Sequence, residues 1–134
     1  IISFTGDYDT IQKRGKGYGE GEMIEYALIH STVLRDSTFF YKLTGRVIVK
    51  NMDKLIKSTS SNNAFIFPLE SLSELYYYMV STIVYKADTK LYKQLLLDAY
   101  RDVFDNRKIY LEHIFYNRLK DIPLSSFGAY PVLE

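Results

Sequence analysis

The stretch FFYKLTGRVIV, residues 39–49, is apolar and β-prone apart from a few polar positions. Lys42, Thr44 and Arg46 stand at alternate positions, so on one continuous strand they would share a face. At a rise of ~3.3 Å per residue, the two cations would lie roughly 13 Å apart with the hydroxyl between them. An ammonium, a hydroxyl and a planar guanidinium together suit a diphosphate or a polyhydroxyl ligand. If the stretch is one continuous strand, this face is therefore predicted to bind a ligand.

Two local structures are compatible with this stretch. On one continuous strand, Tyr41, Leu43 and Val47 would face the core, and Gly45 would permit a bulge or a close ligand approach. Alternatively, the Thr-Gly pair is a hairpin turn between two edge strands, and both cations are solvated. The candidate ligand-binding residues of the stretch are Lys42, Thr44, Gly45 and Arg46.

A second candidate site lies in YLEHIFYNRL, residues 110–119, which has the periodicity of an amphipathic helix. Glu112 and His113 sit there among aromatic residues, and either side chain could act as a general acid or base tuned by burial. Neighbours on a helix point about 100° apart, so the two do not form a pair on one face. The sequence pattern alone leaves both Glu112 and His113 as candidate catalytic residues. In the alternative interpretation Glu112 is a surface acid and His113 a half-buried polar residue.

The glycine-rich stretch GKGYGEGE, residues 15–22, fits neither of the two glycine-rich phosphate-binding motifs, the P-loop and the dinucleotide-binding motif. It lacks the P-loop spacing, and Glu20 stands where the dinucleotide motif needs its third glycine. Four glycines at alternate positions predict a flexible loop that opens a helix. Its acids suit a sugar hydroxyl, a metal or the helix dipole better than a phosphate. The candidate ligand-binding residues here are Lys16, Tyr18, Gly19 and Glu20. The alternative is a loop whose acids only cap the helix.

Metal-binding motifs are sparse in the sequence. The two histidines are far apart and there is no HExxH motif, which argues against a zinc site. Asp7-Tyr8-Asp9 follows a short β-prone run and is similar to the metal-binding Asp-x-Asp of sugar-nucleotide transferases, although turns are rich in Asp for other reasons.

The composition narrows the class of protein. The chain has 134 residues, 47% of them hydrophobic and 25% charged, as in one soluble globular domain. A net charge of +1 offers no field of one sign to attract nucleic acid, so we expect no nucleic-acid partner. The absence of Cys excludes disulfides and fits a cytosolic location. No run approaches the ~20 apolar residues of a membrane span, and the first residues lack the features of a signal peptide.

Helical and β-prone stretches alternate along the chain. The helical stretches are residues 22–34, 52–58 with Asn51 as N-cap, 89–104 and 107–121, the last with Leu111, Phe115 and Leu119 in one stripe. The β-prone stretches are residues 1–4, 39–49, 64–68 and 75–86. This alternation predicts one α/β domain over residues 1–134, a layered domain with a mixed sheet and flanking helices.

Three stretches in this order, GKGYGEGEMIEYAL, FFYKLTGRVIVKN and YLEHIFYNRL, resemble a known group of proteins. The chain looks like bacterial glycosyltransferase-like proteins from capsule and lipopolysaccharide O-antigen biosynthesis clusters. The resemblance spans roughly residues 13–119. It implies part of a GT-A-like nucleotide-sugar transferase fold, and transfer of a sugar from a nucleotide-sugar donor to a cell-surface polysaccharide acceptor.

The resemblance also implies roles for particular residues. Glu112 would activate the acceptor, while the glycine-rich stretch and the Lys42–Arg46 stretch would bind the donor. GT-A enzymes hold a divalent metal with Asp-x-Asp at a central strand, where this chain has Thr44-Gly45-Arg46. That departure puts a divalent metal in doubt, leaves its ligands unknown, and suggests that Arg46 supplies positive charge instead.

The half of a GT-A domain that holds the nucleoside base has no counterpart in the sequence, so we expect a fragment lacking an N-terminal nucleotide-binding half. The resemblance implies a cytoplasmic location, with peripheral association of the full protein at the inner face of the membrane. The sequence does not predict an oligomeric state. The alternative function is a non-catalytic glycan- or protein-binding domain that uses an aromatic face such as Tyr76, Tyr77 and Tyr78.

Overall fold

The computed structural model describes residues 1–67 and 78–134. These residues form a mixed α/β structure with six α-helices and two β-strands. In chain order the elements are α1 (Tyr8–Arg14), α2 (Lys16–His30), α3 (Thr32–Arg35), β1 (Phe39–Leu43), α4 (Met52–Lys57), β2 (Val84–Asp88), α5 (Thr89–Leu95) and α6 (Leu111–Leu119). Two short 3-10 turns, Ala99–Asp102 and Asp105–Arg107, connect α5 to α6.

The two strands form an antiparallel sheet whose register runs from Phe39 opposite Asp88 to Leu43 opposite Val84. On the other edge of β2, Ala64 exchanges two backbone hydrogen bonds of 2.9 Å with Lys86. Both edges of β2 are therefore covered, and four of its five residues are buried. The prediction that the protein contains both α-helices and β-strands is confirmed. In the described residues the sheet has two antiparallel strands, not the larger mixed sheet that we expected.

The glycine-rich stretch, residues 15–22, was predicted to be a flexible loop, and this prediction is wrong. Gly15 is the N-cap of α2, and the other residues of the stretch form the first half of that helix. Gly17 lies against Leu111, where an added Cβ would come within 3.1 Å of the Leu111 Cβ. Gly21 lies against Tyr100, where an added Cβ would overlap the Tyr100 side chain. The two glycines stand one helical turn apart and let α2 approach its neighbours closely. Close packing here outweighs the cost of about 1 kcal/mol per glycine in a helix.

Gly15 is the glycine whose backbone needs conformational freedom. It separates α1 from α2 at φ +112°, a region that favours glycine. The second helix break is at Ser31, whose hydroxyl oxygen accepts a hydrogen bond of 3.2 Å from Leu34 N and so caps α3. The helix predicted over residues 22–34 is therefore two helices, α2 and α3.

The main core lies between α2, the sheet, α5 and α6, and is rich in aromatic rings. Tyr85 of β2 is fully buried and stacks on Phe65 at 5.4 Å and on Tyr92 at 6.3 Å between ring centroids. Phe115 of α6 meets the Tyr85 ring edge-on at 5.9 Å. The predicted α6 stripe is confirmed, since Leu111, Phe115 and Leu119 are all buried.

A second, smaller core is formed by Leu55, Ala64, Val84 and Phe127. The C-terminal residues cover it and pair with the segment that follows β1. Ile48 and Glu134 exchange backbone hydrogen bonds of 3.0 and 2.9 Å. Asn51 is the N-cap residue of α4 as predicted, but its side chain does not bond to the helix. It donates a hydrogen bond of 2.8 Å to Tyr130 O and accepts one of 2.7 Å from Val132 N.

Three other sequence predictions differ from the structure. The helix predicted over residues 89–104 ends at Leu95, whose carbonyl accepts a hydrogen bond of 2.9 Å from the Arg118 guanidinium. Residues 1–4 form no strand, and residues 64–67 contribute only the Ala64 bridges. Part of the strand predicted over residues 75–86 lies outside the described residues.

Substitution of Gly21 by Ala tests whether close packing determines this position. A helical glycine without a neighbour would gain about 1 kcal/mol of stability on substitution by Ala. Here we expect a loss of about 1–3 kcal/mol, because the new methyl group overlaps Tyr100. Urea unfolding measures the difference. Gly45→Ala is the matched control, since an added Cβ there meets nothing within 4 Å; a stabilised Gly21→Ala would contradict the packing argument.

Candidate functional site

An open cleft of about 360 Å³ lies where the N-termini of α2 and α6 meet the turn after β1 and the residues before β2. Its volume is within the range of small-molecule sites, roughly 300–1,000 Å³. The lining residues are Lys16, Gly17, Glu20, Thr44, Arg46, Val47, Thr82, Ile83, Asp105, Tyr110, Leu111 and Glu112. Five of the nine residues singled out from the sequence therefore line one cleft: Lys16, Glu20, Thr44, Arg46 and Glu112.

Lys42 does not line this cleft but lies buried next to it. Its side chain is only 7% exposed, and its ammonium forms an ion pair of 2.5 Å with Glu20 Oε1. The same ammonium donates a hydrogen bond to the backbone carbonyl of Thr82. The Lys42 Nζ also lies 5.8 Å from the ring centroid of Tyr85, its neighbour across the sheet. Pairing and hydrogen bonding offset the cost of removing the charge from water.

The face predicted for this strand was therefore inverted. Phe40 and Lys42 are the buried residues of β1, while Leu43, expected in the core, is 44% exposed. Tyr41 is half-buried beside the smaller core. Burial of Lys42 depends on Glu20, which lies far away in sequence and carries no local signal of the pairing.

The Thr44-Gly45-Arg46 segment forms a turn after β1 ends at Leu43. Thr44 N still donates a hydrogen bond of 2.9 Å to Ile83 O, which holds the turn against the residues before β2. The turn does not close a hairpin, because β1 pairs with β2. Arg46 is exposed at the cleft and forms no ion pair with any residue that the structure describes.

Glu112 lies in the first turn of α6, where the helix dipole favours a carboxylate. Its Oε1 accepts a hydrogen bond of 2.8 Å from the Thr82 hydroxyl, and its backbone carbonyl accepts one of 3.1 Å from Val80 N. The side chain is half-buried and lines the cleft. His113 instead stacks on Tyr110 at 5.6 Å and is not part of the cleft lining.

The N-terminus of α2 is capped by a residue distant in sequence. Asp105 Oδ2 accepts a hydrogen bond of 3.0 Å from Lys16 N, while the N-cap residue Gly15 has no side chain to do so. Asp105 packs where a Cβ on Gly15 would have to lie. The helix terminus already has a carboxylate at its positive end, and Asp105 was not identified from the sequence because no local motif marks it.

Three of the predicted ligand-binding residues lie elsewhere. Tyr18 meets Tyr100 edge-on at 5.0 Å between ring centroids, within the packing of α2. Gly19 packs against Ile11 of α1, and Gly45 is exposed at the turn. These three residues are not part of the cleft lining.

The charges of the cleft are nearly balanced. Lys16 and Arg46 line the cleft together with Glu20, Asp105 and Glu112, and the Lys42 ammonium next to the cleft forms an ion pair with Glu20. Lys16 and Arg46 form no ion pair within residues 1–67 and 78–134, and Glu112 has only one carboxylate oxygen bound by Thr82. Together with the Thr44 hydroxyl, these groups suit a ligand with both an anionic group and hydroxyl groups.

The structure describes no group of three His, Asp or Glu side chains that could hold a metal ion within residues 1–67 and 78–134. Asp7 is the N-cap of α1, where it accepts hydrogen bonds from Thr10 Oγ1 at 2.6 Å and Thr10 N at 3.1 Å. These bonds, the side-chain one first, lower the pKa of Asp7. Capping accounts for its conformation without a metal.

No protein-family model, curated protein or solved structure matches the chain. None of the helices in the described part of the chain combines the length and the apolar character that crossing a membrane requires.

Substitution of Lys42 by Met should destabilise the protein by about 2–3 kcal/mol, because the half-buried Glu20 carboxylate, whose side chain is 18% exposed, loses its partner. Lys50→Met is the matched control, since Lys50 forms an ion pair with Glu134 in which both side chains are more than half exposed. We expect at most about 1 kcal/mol there. A double variant, Lys42→Met with Glu20→Gln, should recover part of the loss in urea unfolding. Equal effects of Lys42→Met and Lys50→Met would contradict the importance of the buried pair.

Tyr85 should limit stability at alkaline pH. Burial raises the pKa of Tyr85 well above its usual range, and the nearby Tyr92 adds to this effect. The Tyr85 hydroxyl is buried and has no hydrogen-bond partner among the described residues. Because the folded-state pKa exceeds the unfolded value of about 10, the stabilisation is complete below pH ~10 and is lost as pH rises further. Urea unfolding between pH 7 and 11 should show a smaller loss for Tyr85→Phe than for the unsubstituted protein. The exposed-site control Tyr130→Phe should behave like the unsubstituted protein; identical profiles for all three would contradict this assignment.

Proposed function

We propose that the chain belongs to a glycosyltransferase that moves a sugar from a nucleotide-sugar donor to a cell-surface polysaccharide acceptor. One observation carries the proposal: Lys16, Arg46 and Glu112, from three distant segments, line the same cleft. Scattered polar residues on a surface would not bring a half-buried carboxylate together with two cations that have no ion pair among the described residues. The resemblance to glycosyltransferase-like proteins supports the same class.

The donor side of the cleft would be formed by Arg46, Lys16 and Thr44. A guanidinium donates two parallel hydrogen bonds to phosphate oxygens, and an ammonium adds a compact positive charge. Glu20 would repel a diphosphate if its charge were free, but its ion pair with Lys42 removes that objection. The cleft volume of about 360 Å³ suits the sugar and diphosphate portion of a donor.

The acceptor side would be formed by Glu112. In the proposed step, an acceptor hydroxyl oxygen bonds to the anomeric carbon of the sugar while the bond from that carbon to the diphosphate oxygen breaks. The electron pair of the broken bond leaves with the nucleoside diphosphate, whose added negative charge Arg46 and Lys16 stabilise. The proton of the acceptor hydroxyl goes to the Glu112 carboxylate, which acts as general base.

On this proposal Arg46 supplies the positive charge that a divalent metal supplies in GT-A enzymes. We infer that the protein acts in the cytoplasm, at or near the inner face of the membrane, where it would meet its polysaccharide acceptor. A GT-A-like fold remains part of the proposal.

The alternative is a non-catalytic glycan- or protein-binding domain. Of the aromatic residues named for it, Tyr76 and Tyr77 lie outside the described residues. Tyr78 is 69% exposed and meets Tyr116 edge-on at 5.4 Å. Such a domain would bind its ligand independently of Arg46 and Glu112.

A panel of nucleotide sugars tests the proposal through thermal shift and titration calorimetry. At least one donor should stabilise the protein, and Arg46→Ala should weaken its binding by about ten- to a hundredfold, as expected for lost hydrogen bonds to a charged group. Arg35→Ala is the matched control, because Arg35 is an exposed arginine on α3 paired with Asp36 outside the cleft.

Glu112→Gln should bind the same donor normally but lower the rate of sugar transfer by about 10²–10⁴-fold, because the general base is lost. Failure of every donor to bind would overturn the transferase proposal. Glycan binding that survives both Arg46→Ala and Glu112→Gln would favour the alternative.

A further inference from the structure

Thr82 is a buried residue of the cleft that joins two charged groups. It lies two residues before β2, and its side chain is directed to α6. Its hydroxyl donates a hydrogen bond of 2.8 Å to Glu112 Oε1, while its backbone carbonyl accepts one from the Lys42 ammonium. One residue thus contacts both the buried cation and the proposed base.

These contacts form a continuous chain of hydrogen bonds beside the cleft. Glu20 accepts from Lys42 at 2.5 Å, Lys42 donates to Thr82, and Thr82 donates to Glu112. The four residues come from α2, β1, the segment before β2, and α6. Lys42 and Thr82 are each 7% exposed, so water competes little for these bonds.

In this series of hydrogen bonds, only one of the two carboxylate oxygens of Glu112 is bound. Oε1 accepts from Thr82, whereas Oε2 has no hydrogen-bond partner in the part of the chain described here. A base must be held in a defined orientation to accept a proton efficiently, and small displacements are costly to rate. A carboxylate fixed through one oxygen presents the other in a defined direction.

We infer that Thr82 is a positioning residue for Glu112, and that the Lys42–Glu20 ion pair fixes Thr82 in turn. The inference rests on the proposed function in that it takes Glu112 as the base for sugar transfer. Thr82 does not contact the reacting atoms, and it acts by orienting Glu112 so that Oε2 faces the acceptor hydroxyl.

The test compares Thr82→Val, which keeps the shape and removes the hydroxyl, with Thr82→Ser, which keeps the hydroxyl. Thr82→Val should lower the kcat of sugar transfer by about ten- to a hundredfold while the donor Kd changes less than about twofold. Thr82→Ser should recover kcat to within about threefold of the unsubstituted protein.

Thr89→Val is the matched control. Thr89 is also buried, and its hydroxyl makes one side-chain hydrogen bond, of 3.0 Å to Ser37 Oγ, outside the cleft. Both valine variants should lower the melting temperature similarly, but only Thr82→Val should lower kcat. An unchanged kcat in Thr82→Val, or an equal loss in Thr89→Val, would overturn the positioning role.

A second readout does not depend on sugar transfer. The ¹³C resonance of the Glu112 side-chain carboxyl, assigned by its loss in Glu112→Gln, should move in Thr82→Val, return in Thr82→Ser and stay in place in Thr89→Val. If no donor binds, the proposed function fails, and this comparison still decides whether Thr82 holds Glu112. An unmoved resonance in Thr82→Val would overturn the inference even if sugar transfer is found.

Discussion

The buried ammonium of Lys42 is the constraint on which the arrangement of this protein depends. A charge removed from water must be paired and hydrogen-bonded, which fixes where Glu20 of α2 and the backbone before β2 can lie. The helix, the strand and the residues leading into β2 are therefore held together at one point. Hydrophobic contacts position the same elements only approximately, since many packings bury similar apolar area. The ion pair adds a specific geometry, and the cleft lies directly beside it.

Local sequence pattern was sufficient for some elements and insufficient for others. The stripe Leu111, Phe115 and Leu119 correctly predicted a helix and its buried face, because the spacing of apolar residues in a helix reflects which face is buried. The helix is shorter than the predicted range of 107–121, since it begins at Leu111 and ends at Leu119. The glycine-rich stretch misled, because glycine has a low helix propensity and its packing partners, Leu111 and Tyr100, are distant in sequence. Propensity describes a residue alone, whereas close approach is a property of two elements.

In the candidate site too, some residues could be identified from the local sequence and others only from the fold. Arg46 and Glu112 could be identified because they are polar residues within largely apolar stretches, and such residues are often found at functional sites. Lys16 was identified as part of the glycine-rich stretch. Lys42 was identified for the same reason but assigned to the wrong face, because its burial requires a partner that alternation along a strand does not reveal. Thr82 and Asp105 were missed entirely. A threonine before a strand and an aspartate in a turn are common, and only the fold brings them to the cleft.

The pairing of the C-terminal residues with the segment after β1 has a consequence for Arg46. The chain is held by the sheet up to Thr44, and it is held again from Ile48, which exchanges two hydrogen bonds with Glu134. Only three residues separate these fixed points, so the backbone that carries the guanidinium has little freedom left. The conformational entropy of that backbone is lost on folding, so little more would be lost if the exposed Arg46 guanidinium contacted a ligand.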